Sequence, residues 1–303
     1  MIWLLVAIFA YFILAIASLF DKYLLGGSLS NPKIYAFYVG ILGSLAFLLI
    51  PLGFFIFPGN FFLLVFALLA GSCQILGIYF YFESLKKFEP SRVIPAIGGM
   101  QPLFSFGMTW FFGGGKEILD AWQIIGFFLM VAGSVIIVYE QKAFGLKSLR
   151  FAVLAAFLFA VALVLSKFVY LAMSFVSGFL MISFGSVSTS LMFLVSKEVR
   201  KEAFKGLGLA KNKKTAALFF ANQAGGALAF ILQSFAVSLA PLALVAVINA
   251  LAGVQYVFVF LFSLLLSLYF PKIIREKISK KIILQKSFAI ILIAFGLAIL
   301  AQK

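Results

Sequence analysis

The residues best able to do chemistry here are amides set in apolar sequence: Gln74, Gln101, Asn222, Gln223, Asn249 and Gln255. Each offers hydrogen-bond donors and acceptors, but no nucleophile and no titrating proton. Groups of this kind bind and orient; they do not break bonds. Gln101 precedes Pro102 and Gln255 precedes Tyr256. The stretch around the first, VIPAIGGMQPLFSF over 93–106, also carries Pro95 and the pair Gly98-Gly99. A segment lying against hydrocarbon gains nothing from such residues. Small residues let neighbouring backbones approach, and a helix break leaves carbonyls that must face protein or water. Gln101, Pro102, Asn249, Gln255 and Tyr256 are therefore expected to line a polar cavity, with Gln74, Asn222 and Gln223 adding to its wall. Central amides are costly to leave against hydrocarbon. Their simplest competing role is bonding helix to helix, at roughly 0.6 kcal/mol each.

The missing residue types narrow the chemistry further. There is no histidine and one cysteine, Cys73, which removes disulfides, His/Cys metal sites and histidine acid–base catalysis. No metal or cofactor is expected. The nine acids, Asp21, Glu83, Glu89, Glu117, Asp120, Glu140, Glu198, Glu202 and Glu276, read as span-edge or loop residues. Intramembrane charges commonly mark ion pathways, so their absence favours uniport or exchange over proton coupling. Glu83, Lys22 and Lys167 remain as candidate mouth or coupling residues.

The elements that must position these groups follow from composition. The 303 residues are 65% hydrophobic and 11% charged, with a mean hydropathy of +1.19. Soluble domains are about 45–50% apolar and about 25% charged. The surroundings must be lipid, and long unbroken apolar runs select helices over a barrel. Ten spans are predicted, at 2–20, 34–57, 61–82, 92–112, 121–139, 149–167, 173–195, 215–236, 241–268 and 282–301. The turn Pro58-Gly59-Asn60, the glycines 113–115 before Lys116-Glu117, and the basic loop 197–214 separate them. No basic residue precedes the first apolar run, so a retained helix is predicted there rather than a cleaved leader.

The net charge of +15 belongs to loop anchors, not to a nucleic-acid surface. Of 24 lysines and arginines, 21 fall on one side of ten alternating spans; Lys116, Lys167 and Lys303 fall on the other. The positive-inside rule then puts both chain ends outside the cytoplasm of a cell membrane. Loop 197–214, with Phe204, Leu207 and Leu209 among its basic residues, is suited to anionic headgroups.

The chain also repeats itself. VIPAIGGMQPLFSF over 93–106 lies over VINALAGVQYVFVF at a shift of 154, and Pro90 pairs with Pro241 at a shift of 151. Glu83-Ser84 matches Gln233-Ser234, and Asp21-Lys22 matches Ser166-Lys167. Two halves of five spans, 1–141 and 148–303, are expected. An odd number of spans per half inverts the second copy, a plan that transporters share.

YFYFESLKKFEPSRVIPAIGGMQPLFSF and WQIIGFFLMVAGSVIIV carry a resemblance in the first half. AFILQSFAVSLAPLALVAVINALAGVQYVFVF, FPKIIREKIS and SFAIILIAFGLAIL carry it in the second. Each half resembles an EamA domain of the drug/metabolite transporter superfamily. The resemblance implies ten helices in two inverted five-helix repeats around a cavity lined mainly by helices 1, 3, 4, 6, 8 and 9. It also implies cytoplasmic termini, opposite to the charge distribution. The small multidrug resistance branch uses a carboxylate within its first helix, and the apolar run IWLLVAIFAYFILAIASLF has none.

The function predicted is transport of a small metabolite, an amino acid or related solute, by alternating access, as exporter or exchanger. Its partners are that solute and membrane lipids. A flippase-like carrier of a lipid-linked headgroup is the neighbouring alternative. A non-transporting assembly protein has no visible docking domain. A membrane-embedded enzyme would need a serine–histidine set or paired magnesium-binding acids, and the spans hold neither.

Overall fold

The computed structural model describes residues 2–26, 31–52, 55–88, 90–113, 119–138, 150–204, 213–269 and 280–301. The Lys22 side chain, Lys116-Glu117, the junction 141–148 and the whole of FPKIIREKIS lie outside the described residues. What is described is helical throughout. The helices are α1 (Ile2–Gly26), α2 (Pro32–Leu42), α3 (Phe61–Lys87), α4 (Pro90–Phe112), α5 (Ala121–Val138) and α6 (Arg150–Ala172). They continue as α7 (Phe175–Met192), α8 (Lys197–Phe204), α9 (Lys213–Leu239), α10 (Val245–Ala250), α11 (Ala252–Tyr269) and α12 (Lys280–Ala301). Each of the ten predicted spans falls on helix, the second as α2 continued by a 3-10 segment over Gly43–Leu52. Among the described residues, seven stretches are long and apolar enough to cross a membrane. Shorter apolar helices cover Ala121–Ile136 and Leu284–Leu300.

Helix starts follow from polar caps. Asn60 Oδ1 accepts from Phe62 N at 2.9 Å, turning Pro58-Gly59-Asn60 into the start of α3. Asn31 caps α2, with Pro32 in the first turn where its missing donor is harmless. At α5 the bonds are reciprocal: Gln123 N donates to Asp120 Oδ1 at 2.9 Å and Asp120 N to Gln123 Oε1 at 3.0 Å.

Three features differ from the sequence reading. The fourth span is one helix that continues through Pro102, while the ninth is interrupted at Leu251 between α10 and α11. Prolines are tolerated in membrane helices where other polar groups serve the freed backbone. The carbonyl that Pro102 leaves without its helical donor is that of Gly98; separately, Ser105 Oγ donates to the Gln101 carbonyl at 2.9 Å. Basic loop 197–214 opens as helix α8, with Val199 fully buried beneath it. The acids are also not all at edges: α1 continues past Phe20 to Gly26, so Asp21 lies on the candidate span Ile2–Leu25.

Packing pairs α3 with α6 and α7, α1 with α9, α5 with α12, α4 with α10 and α11, and α2 with α7. Glycines set two of these seams. A Cβ on Gly296 would stand 2.5 Å from the Gly126 carbonyl oxygen, and one on Gly126 would stand 2.9 Å from that of Gly296. Between α3 and α7, a Cβ on Gly71 would reach the Ile182 carbonyl at 2.1 Å, and one on Gly185 the Leu68 carbonyl at 2.5 Å. Close backbone approach through small residues is how helices associate in lipid, where burial of apolar surface drives nothing. Consistent with that solvent, Leu5, Phe61, Phe111 and Phe295 are more than half exposed. The most deeply buried element is α10, whose six residues are all in the core.

Candidate functional site

Three polar nodes lie where helices of the two halves meet. The first joins α4 to α10. Gln101 Nε2 donates to Asn249 Oδ1 at 2.7 Å, and Asn249 Nδ2 donates to Ser105 Oγ. Asn249 is fully buried, so its amide is satisfied on both sides by α4. Gln101 is half-buried. Two residues predicted separately as wall are thus bonded to each other.

The second node sits at the interruption of the ninth span. The Tyr11 hydroxyl, from α1, donates to the Ile248 carbonyl at 2.8 Å and accepts from Gln233 Nε2, on α9, at 3.0 Å. An irregular backbone in lipid needs such an internal donor.

The third node lies one turn from the end of α1. Tyr35 Oη donates to Asp21 Oδ1 at 2.6 Å, and Asn222 Nδ2 donates to the same oxygen at 2.7 Å. Gln223 Nε2 donates to Tyr35 Oη at 3.1 Å. Asn222 and Gln223 therefore converge on one carboxylate through α1, α2 and α9.

The remaining predicted residues are dispersed. Tyr256 is buried, with its hydroxyl lodged against Gly98; a Cβ there would stand 1.3 Å from the Tyr256 oxygen. That hydroxyl has no hydrogen-bond partner among the described residues. Gly98 is thus required by side-chain packing. Pro102 is buried beside Gln101. Gln255, at 9% exposure, and half-buried Gln74 make no hydrogen bond among the described residues. Lys167 is buried and its Nζ donates to the Ser238 carbonyl at 3.2 Å. Glu83 stands 3.9 Å from Lys87, one turn further along α3. Among the described residues no group of three or more His, Cys, Asp or Glu could hold a metal ion.

Tyr11, Asp21, Tyr35, Ser105 and Gln233 belong to these nodes and are not among the wall residues expected from sequence. Only Gln233 carries a usable signal, since the repeat aligns it with Glu83. Asp21 and Tyr35 are 14 residues apart, and the cross-helix partners of Tyr11, Asp21 and Ser105 lie 144 to 237 residues away.

Comparison with known proteins adds the fold. Eighteen chains of solved structures match this one. One, the crystal structure of a protein bearing no functional name, is 17% identical with a TM-score of 0.63, over 98% of this chain and 94% of that one. The chain is a multi-pass helical membrane protein. No family model matches it, and no curated protein does. At that identity the likeness speaks for the helical fold alone.

Proposed function

We propose that this membrane protein is a solute carrier of the EamA type, with ten membrane-crossing helices in two inverted repeats, 1–141 and 148–303. Most of the helix pairs support the repeats, although α3 packed on α7 has no α9–α2 counterpart among the stronger pairs. Replacing each helix by its counterpart in the other half turns the α3–α6 pair into α9–α1. It returns α4 with α10–α11, α5 with α12, and α2 with α7 to themselves. The reciprocal approach of Gly126 and Gly296 is what a two-fold axis between α5 and α12 requires.

The observation that carries the transport reading is the Gln101–Asn249 bond, which joins the halves beside the interruption at Leu251. In transporter folds, substrate sites form at the repeat interface near interrupted helices. Here that interface presents amides and a phenol, neutral groups that suit a small polar metabolite such as an amino acid. Gln74 and Gln255, with no partners among the described residues, are the groups left to meet it. The two halves rock about this seam, opening the site to each side in turn. Catalysis has no part in this reading. The basic ends Lys33, Lys87, Arg150 and Lys197 mark the cytoplasmic face, so both chain ends lie outside.

The test is flux into liposomes containing purified protein, across a broad panel of metabolites. Solute-dependent uptake abolished by Asn249→Leu supports the proposal; no flux from well-folded protein overturns it.

A further inference from the structure

The third node carries more than the transport reading uses. Asp21 lies on a candidate membrane span. Its Oδ1 accepts from both Tyr35 Oη and Asn222 Nδ2, and Gln223 holds Tyr35 in turn. Those groups come from α2 and α9, and both helices supply only neutral donors. No lysine or arginine pairs with Asp21 among the described residues, and Oδ2 accepts no hydrogen bond from them. Asp21 as a whole is half-buried.

A carboxylate in a span is expensive unless it is compensated. Here two neutral side chains bond one oxygen and a third steadies Tyr35, while the other oxygen has neither a donor nor a counter-charge among the described residues. That is the arrangement of a preorganised anion awaiting a cation. A protonated primary amine fits it best: it is compact, carries a positive charge and has three donors, one of which satisfies Oδ2. We infer that Asp21 anchors the ammonium group of an amine-bearing solute, positioned by Tyr35 and Asn222. This rests on the carrier proposal and narrows its solute to amines and amino acids.

The experiment uses thermal unfolding of the purified full-length protein with a panel of primary amines and amino acids, each paired with its N-acetylated counterpart. Sodium and potassium chloride are tested alone. A ligand of the native state raises the unfolding temperature by mass action. The expected result is that at least one amine stabilises the wild type and its N-acetylated counterpart does not. Asp21→Asn should abolish the shift, and Tyr35→Phe should weaken the apparent affinity about tenfold. Should Asp21→Asn fail to fold, the wild-type comparison and Tyr35→Phe still decide. The inference is overturned if no amine stabilises, if amine and acetamide act alike, or if sodium alone produces the Asp21-dependent shift. Flux separates it from the carrier proposal. Amine stabilisation without flux keeps the site and removes the carrier, whereas neutral-solute flux indifferent to Asp21→Asn does the reverse.

Discussion

Gln101 on α4 and Asn249 on α10 are joined by a 2.7 Å hydrogen bond across 148 positions of sequence, and Ser105 takes the other end of the same Asn249 amide. The arrangement is asymmetric. Asn249 serves two partners, whereas Gln101 serves one and is half-buried.

Substitution at the two ends should therefore cost differently. Gln101→Leu removes one interhelical bond and leaves Asn249 bonded to Ser105, a loss of roughly 0.6 kcal/mol. Asn249→Leu strips the partner from both neighbours at a fully buried position, costing about 1–3 kcal/mol. Unfolding temperatures in detergent should fall in that order; equal losses would mean that Asn249 is not the shared member.

At Gly98 the prediction is steric. An alanine Cβ would overlap the Tyr256 hydroxyl, and the ring is held in a buried position. Gly98→Ala should destabilise by about 1–3 kcal/mol, the usual cost of overpacking. Tyr256→Phe should recover only part of that, because the ring carbon Cζ would still stand 2.6 Å away. Full recovery in the double variant would show that the ring shifts freely.

Not every helical glycine should behave this way. Gly71 and Gly185 approach backbone atoms, which cannot rotate aside, so alanine at either should loosen α3 from α7. At Gly226 on α9, an alanine methyl would have nothing within 4 Å of it. Gly226→Ala should gain up to about 1 kcal/mol from helix propensity. Thermal melts of the three variants check the contrast, and a destabilised Gly226→Ala would contradict it.

The orientation can be read by labelling. With Cys73 replaced by alanine, Asn60→Cys, at the start of α3, should react with a membrane-impermeant maleimide added to intact cells. Glu198→Cys, on α8, should react only after lysis. The reverse pattern would place the chain ends in the cytoplasm.

Hydropathy makes the spans legible because a run of apolar residues long enough to cross lipid has few other uses. Helix starts are equally legible, since Asn60 and Asp120 cap their own helices from sequence-adjacent positions. The kink is not. Pro95 and Pro102 point to the fourth span, yet α4 continues through Pro102 while α10 stops at Ala250. Proline marks a missing donor, whereas a stable break needs an outside donor for the freed carbonyl. For Ile248 that donor is Tyr11, a residue of the other half. Asp21 misleads for a related reason: the polar pair Asp21-Lys22 resembles a span end, and only the partners Tyr35 and Asn222 reveal that α1 carries the carboxylate inward. Gln101 and Asn249 both stand out in the sequence, but their pairing needs three dimensions.

Between α5 and α12, at Gly126 and Gly296, main chain lies on main chain, flanked by the Leu300 and Met130 side chains. Contact of that kind has no rotamers to give, so neither helix can slide or part without losing the fit along its length. These two helices behave as a fixed spine shared by both halves. A rearrangement that parted these two helices would first have to break that main-chain fit.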